Sequence, residues 1–437
     1  MTVSAPGAVG AEETSLRGHR SFGAYLAGES AGLLGTSVHV VALPALAVLE
    51  LKATPGQVAT LAFLAQAPVF VLALPAGAVV DRHGTRALMV GTDLVAAAVV
   101  ATIPAAALAG ALSVPVLYAV AVVLGATAVL HQAAAIAIVP QLVGPALLHR
   151  ANARVGAAFG VADTAGTYLG TAVVTLAGAA RAFWLDSASY LVSAWFASRI
   201  AVSGRPPAGS GRRRRRIAAE IGEGLAYTAR TPLVRDLVGS LAVTGFATGL
   251  TGTFFAYHLL TALHAGPTGL GFVMGISGAG AFAGALAAPR IAARYGPGPV
   301  LVAGFAAYPV LGVPLLLARP GMAWLTTLAV AGALQLAAAT VAGTTQRSLR
   351  QQICPPELQS RAQQTSTWLV CGSRPFAALA GGALAAGFGV RAALLAGTLL
   401  LVVPVAMLWR SPVRRVTAMP VATAPAGGPL PAGSGDR

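Results

Sequence analysis

Along this chain, long runs of mostly apolar residues alternate with short polar breaks, from residue 22 to residue 409. A helix that crosses a bilayer needs about 20 such residues in a row. The rhythm predicts twelve spans, at 22–49, 55–80, 87–110, 113–139, 153–178, 181–201, 234–261, 268–289, 298–318, 322–345, 362–388 and 391–409. Proline and glycine interrupt several of them. Membrane helices tolerate this, because neighbouring helices and hydroxyl side chains re-satisfy the freed backbone groups. The expected architecture is an all-α membrane protein with twelve transmembrane helices in two pseudo-symmetric six-helix bundles. The pattern divides the chain into an N-terminal tail (1–21), a first bundle (22–201), a linker (202–233), a second bundle (234–409) and a Pro-, Ala- and Gly-rich tail (410–437) expected to be disordered.

Composition removes the alternatives. Of 437 residues, 56% are hydrophobic and only 10% charged, against about 25% charged in a soluble domain; the mean hydropathy is +0.75. Such a chain cannot clothe a water-facing surface, which excludes a soluble enzyme, a disordered chain and a coiled coil. A formal charge of +16 would raise nucleic acid as a partner in a soluble protein. Here cytoplasmic loops explain it, and no nucleic acid is expected. With both termini cytoplasmic, the outer loops hold Lys52, Arg181, Arg319 and Arg391, Arg374 falls within a span, and the other 24 of 29 basic residues lie inside. Lys52 is the one lysine of the sequence. The expected location is the inner (cytoplasmic) membrane, multi-pass, with the first apolar segment serving as an uncleaved insertion signal. Cys354 and Cys371 form no CxxC, so neither a disulfide nor a metal site is expected.

The linker carries Arg212 to Arg216. This run reads first as a topogenic charge block, and second as a contact for anionic lipid headgroups. Residues 217–231 follow as a short amphipathic helix, with Ile217, Ile221 and Leu225 on one face and Glu220 and Glu223 on the other. A weak internal repeat pairs Asp81-Arg82-His83-Gly84 with Ala293-Arg294-Tyr295-Gly296, 212 residues apart, at matching loops of the two halves.

The strongest local signal is Gly77-Ala-Val-Val-Asp81-Arg82-His83-Gly84-Thr85-Arg86, between spans 2 and 3. Gly84 permits a sharp turn, and Gly77 is expected to allow close helix approach. Asp81 at the membrane edge needs a basic partner or a helix N-terminus; Arg361, at the start of span 11, is the candidate. In these residues the chain resembles the major facilitator superfamily, whose signature between helices 2 and 3 is Gly-x-x-x-Asp-Arg-x-Gly-x-Arg. Further stretches resemble its enterobactin-exporter and macrolide-efflux-like branch. These are Leu34-Gly35 with Val41-Ala42-Leu43-Pro44, Asp93-Leu94, Pro140 to Val143 with Ala151-Asn152-Ala153, Leu185 to Tyr190, Gly222 to Leu225, and Gln351 to Arg361. The resemblance implies two bundles rocking about a central cavity lined by helices 1, 4, 7 and 10. It makes Gly77, Asp81, Arg82, Gly84, Arg86 and Arg361 gate residues of a cytoplasmic latch. The chain departs from the branch at Thr36, where an acid is usual, at Leu94-Val95-Ala96, which lack an arginine, and at Gly166 to Gly170, which lack a proline.

Ionisable groups inside spans come next, since a charge at the bilayer centre costs about 2.5–3.5 kcal/mol. Glu29 (span 1) and Asp163 (span 5) are candidate proton carriers, as are His39 (span 1) and His131 (span 4), because histidine titrates in the physiological range. The plain alternative for each is a satisfied core residue. Asp93, two turns into span 3, reads as an interfacial gate, and Asp186, at the start of span 6, as a helix cap. Candidate substrate-cavity residues are His39, Gln132, Tyr257, His258, Gln335 and Arg374; Arg374 is expected to pair with Asp163 or an anion. No GxxxxGK[ST] or HExxH occurs, so no enzyme activity and no cofactor are expected, and energy should come from a gradient. The function expected is a monomeric secondary transporter exporting a small amphipathic molecule, such as a drug, antibiotic or siderophore-like metabolite, against protons. The alternatives are a uniporter or importer of a polar metabolite, and a non-transporting sensor or assembly partner.

Overall fold

The computed structural model describes residues 16, 19–73, 75–143, 145–201, 222, 226–354 and 356–417; side chains at 78, 145–146, 149, 160, 163–164 and 356–365 are outside this description. The Arg212–Arg216 run, residues 217–221 and 223–225 of the expected 217–231 helix, and the tail from residue 418 therefore lie outside the described residues, while residues 226–230 are helical.

Among the described residues the chain is helical throughout, with no strand. The helices are α1 (Arg20–Ala45), α2 (Pro55–Leu72), α3 (Ala76–His83), α4 (Thr85–Leu108), α5 (Val114–Leu142), α6 (Pro145–Ala177) and α7 (Ala179–Ser198), then α8 (Pro232–Thr261), α9 (Gly266–Tyr295), α10 (Pro297–Leu317), α11 (Met322–Ile353), α12 (Pro356–Phe388), α13 (Val390–Leu400) and α14 (Val402–Arg410). Among the described residues, ten helical segments are long and apolar enough to cross a membrane; α6 and α7 fall outside these ten, α6 with a shorter apolar stretch at Ala165–Ala177.

Local chemistry sets the boundaries. Pro44 lacks the N–H that an α-helix needs, and Leu46–Glu50 follow it as a π-turn that ends α1. Lys52 then turns with φ 52°, in the left-handed region. Thr54 caps α2 by accepting from Gln57 N–H at 3.3 Å, while Thr54 N–H donates to Gln57 Oε1 at 2.8 Å, and Pro55 takes the first helical position. Two expected spans are broken. Span 2 divides into α2 and α3 at Pro75, and span 12 into α13 and α14 three residues before Pro404, because each proline removes a donor to the preceding turn.

The internal repeat is clearer in backbone geometry than in sequence. Gly84 (φ 82°, ψ 146°) and Gly296 (φ 79°, ψ 156°) stand at helix–glycine–helix turns 212 residues apart. Gly178 (φ 86°, ψ 156°) and Gly389 (φ 84°, ψ 162°) make a second such pair. All four need the positive φ that glycine supplies without strain.

Within the second half, α9 and α11 approach closely. A Cβ at Gly280 would stand 2.1 Å from the carbonyl oxygen of Ala333, and one at Gly284 2.5 Å from that of Ala337. Residues 411–417, assigned to the tail by the sequence pattern, pack against the second half. Pro412–Arg415 form a 3-10 turn, Val413 is fully buried, and Gly298 N–H donates to Val416 O at 2.9 Å. Gly298 admits that backbone; a Cβ there would meet the Val413 carbonyl at 2.4 Å.

The two halves meet through α2 against α12 and α6 against α9. Phe70 stacks on Trp368 (centroids 5.4 Å, 25°) and meets Phe376 edge-on. Thr175 and Thr268 share a hydrogen bond of 3.1 Å, and Tyr168 and Thr171 fill the space left by Gly275 and Gly271. The α6–α9 contacts lie at the end of the molecule that carries the α1–α2 loop. A cavity lies toward the opposite end.

Candidate proton and substrate site

That cavity, of about 540 Å³, lies among α1, α2, α4, α5, α6 and α7. Its walls differ in chemistry. Val69, Ile136 and Phe159 give an apolar side, and Glu29, Asp93 and His131 give an ionisable one.

Helix packing brings these three groups from α1, α4 and α5 into one cluster. His131 Nε2 lies 2.8 Å from Glu29 Oε1, and His131 Nδ1 lies 3.0 Å from Asp93 Oδ1. The Thr92 hydroxyl stands 3.3 Å from Nδ1, and its own hydrogen is directed to the Leu88 and Met89 carbonyls at 2.8 and 2.9 Å. Nδ1 therefore carries the hydrogen and donates. Two nitrogen–oxygen contacts need two protons. They are held as an imidazolium between two carboxylates, or as a neutral ring with one carboxylic acid, and either way the cluster carries one net negative charge. A third proton makes it neutral. Asp93 is buried, Glu29 and His131 are 10% and 19% exposed, and Asp93 Oδ2 has no partner among the described residues. The arrangement can store a proton, release it to cavity water and attract a cation.

A second pair sits further along α1. His39 Nδ1 lies 3.0 Å from Asp186 Oδ2, and the His39 ring meets Phe183 edge-on. Asp186 is fully buried and stands mid-helix in α7, so it is not the cap expected from sequence; α7 begins at Ala179, a full turn or more earlier.

The other expected residues distribute as follows. Gln132 lines the same cavity. Gln335 lines a smaller cavity of about 260 Å³ in the second half, with Thr248, Thr251, Ser277, Tyr308 and Thr398, and its amide donates to Tyr308 O at 2.9 Å. Tyr257 and His258 line neither cavity. Tyr257 packs on Phe254, and His258 is buried in the last turn of α8 with Nε2 unpartnered among the described residues. Their helix is a lining helix, but these positions face its packed side. Arg374 is exposed and has no ion-pair partner among the described residues; it lies within electrostatic range of Tyr308. The side chain of Asp163 lies outside the described residues.

The signature loop follows the helix ends. Gly84 makes the turn from α3 to α4, and Arg86 donates to the Ser198 carbonyl, one of the unsatisfied acceptors at the end of α7. Arg82 is exposed and Asp81 half-buried. Gly77 does not serve close helix approach to any described residue, since a Cβ there would meet nothing within 4 Å. The side chain of Arg361 lies outside the described residues.

The helical architecture and the cavities between its helices are those of the major facilitator fold. Residues 19–430 match the model of the transmembrane secretion effector family, and the chain belongs to that family. It is 27% identical over 258 residues to the multidrug efflux pump Tap of Mycolicibacterium fortuitum, covering 58% of this chain and 62% of that one; the match thus spans less than two thirds of the relative. Among solved structures, the nucleoside transporter NupG (D323A mutant) superposes with a TM-score of 0.74 at 11% identity, over 90% of this chain and 99% of that one. A bacterial homologue of the iron transporter ferroportin in an inward-facing state gives 0.68 at 16% identity, over 91% and 100%. These likenesses concern the fold.

Proposed function

We propose that this protein is a proton-coupled exporter of small amphipathic molecules, a drug, antibiotic or siderophore-like metabolite, in the cytoplasmic membrane. The proposal includes twelve crossings, formed by adding α6 and α7 to the ten apolar segments, in bundles 22–201 and 234–409 with both termini inside. The observation that carries it is the Glu29–His131–Asp93 cluster facing an apolar wall across one cavity. A single negative charge opposite apolar side chains suits an amphipathic cation, and the proton that neutralises the cluster removes that attraction. Protons and substrate then compete, which is the logic of exchange: substrate leaves outward as the cluster is protonated, and binds inside once the proton is lost. The match to a multidrug efflux pump supports the direction of transport. Gly84 and Arg86 act in the cytoplasmic latch.

The test is purified protein in liposomes with an imposed pH gradient, a trapped pH dye and ethidium as the probe. Ethidium movement should be accompanied by counterflow of protons. Glu29→Gln and Asp93→Asn should each abolish that coupling. Ethidium movement without proton flux, unchanged in both variants, overturns the proposal. It would favour a uniporter of a polar metabolite, which the uncharged, hydroxyl-rich cavity around Thr248, Ser277 and Gln335 also suits.

A further inference from the structure

The polar residues of α1 follow a helical spacing. Glu29, Thr36 and His39 stand at i, i+7 and i+10, on one face. From Glu29 to His39 this face runs about 15 Å along the axis. The facing helix α7 supplies Asp186 and Tyr190, one turn apart. Tyr190 stands between the two ionisable sites. Its ring is within electrostatic range of both Asp186 and Asp93, its side chain lines the cavity that holds Glu29, Asp93 and His131, and its hydroxyl meets Thr36 Oγ1 at 3.5 Å. The Thr36 hydrogen is already given to the Gly32 carbonyl at 3.0 Å, so Tyr190 is the donor to Thr36. At 3.5 Å that bond is at the limit of hydrogen bonding, and the hydroxyl is free to turn.

The seam beyond Tyr190 is tightly packed. A Cβ on Gly35 would stand 1.8 Å from Ser189 Oγ and 3.0 Å from Asp186 Oδ1. Cβ atoms on Gly166 and Gly170 would come within 2.6 Å of Ser37 and Val38. No metal ion or substrate could pass along it, whereas a proton needs only donors and acceptors. Asp186 Oδ1 is buried with no partner among the described residues, an arrangement that is costly for an ionised carboxylate and suits one that is transiently protonated.

We propose that His39, Asp186 and Tyr190 form a proton path from the outer half of the protein to the Glu29–His131–Asp93 cluster. The inference rests on the proton-coupled reading above. In the path, His39 takes a proton at Nε2 and passes its Nδ1 proton to Asp186 Oδ2. The protonated Asp186 carboxyl then turns over about its Cβ–Cγ bond, and the proton it received passes to the Tyr190 oxygen as Tyr190 releases its own hydrogen to a cavity water. That water protonates the cluster. One proton has moved inward, Asp186 and Tyr190 have regained their starting states, and exchange of the ring protons through water returns His39 from the Nε2–H to the Nδ1–H tautomer. The titratable groups bordering the path are His39, Glu29 and Tyr25 on α1, Asp93 on α4, His131 on α5, and Asp186 and Tyr190 on α7. Tyr190 is the narrow point of the path, because its side chain lines the cavity and lies within electrostatic range of Asp186.

The experiment compares pH-driven ethidium transport with ethidium–ethidium exchange at equal pH on both sides, in liposomes holding wild type, Tyr190→Phe, Asp186→Asn or Glu29→Gln. Tyr190→Phe keeps the ring and deletes the hydroxyl. It should slow pH-driven transport at least tenfold and exchange by clearly less; Asp186→Asn, which lies off the cavity wall, should slow pH-driven transport at least tenfold and leave exchange within about twofold, since exchange needs no proton. Thr36→Val, which removes only the resting contact of the hydroxyl, should retain pH-driven transport. Tyr190→Phe with wild-type pH-driven rates overturns the path. So does equal loss of driven transport and exchange in Tyr190→Phe, which would mark a packing role. A wild type that moves ethidium without protons, with Glu29→Gln the same, is a different result: it removes the coupling reading itself.

Discussion

Replacing His131 with alanine should destabilise the protein by an amount that depends on pH. The imidazole separates two carboxylates, with contacts of 2.8 and 3.0 Å on either side. Without it, two negative charges face each other roughly 7 Å apart, worth about 2 kcal/mol of repulsion at an effective dielectric of about 20. Two charge-assisted hydrogen bonds disappear as well, at about 1.5 kcal/mol each, the low end of the range because the cavity admits water to Glu29. The sum, about 5 kcal/mol, is at the upper end of the usual cost of breaking a buried pair. It corresponds to a fall in melting temperature on the order of 10 °C. The assay is thermal unfolding in detergent at pH 8 and at pH 5.5. Protonating either carboxylate relieves the repulsion, so the variant should recover part of its stability as the pH falls. Adding Glu29→Gln and Asp93→Asn should recover it at both pH values. His131→Ala melting within about 2 °C of wild type at both pH values, or no gain in the triple variant, would refute the reasoning.

Three further expectations concern backbone and thiol chemistry. Gly84→Ala places a side chain at φ 82°, ψ 146°, a region nearly exclusive to glycine, and should cost about 1–3 kcal/mol in melting experiments. Gly280→Leu should be worse than Gly343→Leu, because a Cβ at Gly280 stands 2.1 Å from Ala333 O whereas one at Gly343 meets nothing within 4 Å; expression and size-exclusion profiles will separate them. Burial pushes the Cys354 thiol up, only partly offset by the Tyr227 hydroxyl and the Arg350 guanidinium, so its thiolate fraction at pH 7.5 is reduced. Maleimide should therefore label Cys354 more slowly than the less buried Cys371, with the rate rising as pH increases; fast labelling of Cys354 at pH 7 would count against this.

Much of the fold can be read from apolar runs, because the requirement to satisfy every backbone group inside a bilayer leaves helices as the answer. Where the reading slipped, proline was the cause: Pro75 and Pro404 divide helices that hydropathy treats as continuous. The site was legible only in parts. Glu29 and His131 stood out as ionisable groups within apolar runs, but their meeting with Asp93 depends on how α1, α4 and α5 rotate about their axes, which spacing along one helix does not report. Asp186 looked like a cap because the polar edge of its span was placed too late. Tyr257 and His258 show the limit of assigning a whole helix to a cavity, since a lining helix also has a packed side. The signal that was present and overlooked is the alignment of Glu29, Thr36 and His39 on one face of α1, matched by Asp186 and Tyr190 one turn apart on α7.

Lys52 turns the α1–α2 loop with a left-handed backbone and stands exposed there. Apart from the amino terminus, it is the sole primary amine in 437 residues. An amine-selective dye that cannot cross lipid thus has one side-chain target, at the end of the molecule where the α6–α9 contacts lie. On the export cycle proposed above, a fluorophore placed there would sit beside the seam that parts when the cavity opens outward. Lys52 would then serve as a single-site reporter of that opening, with no engineered cysteine needed.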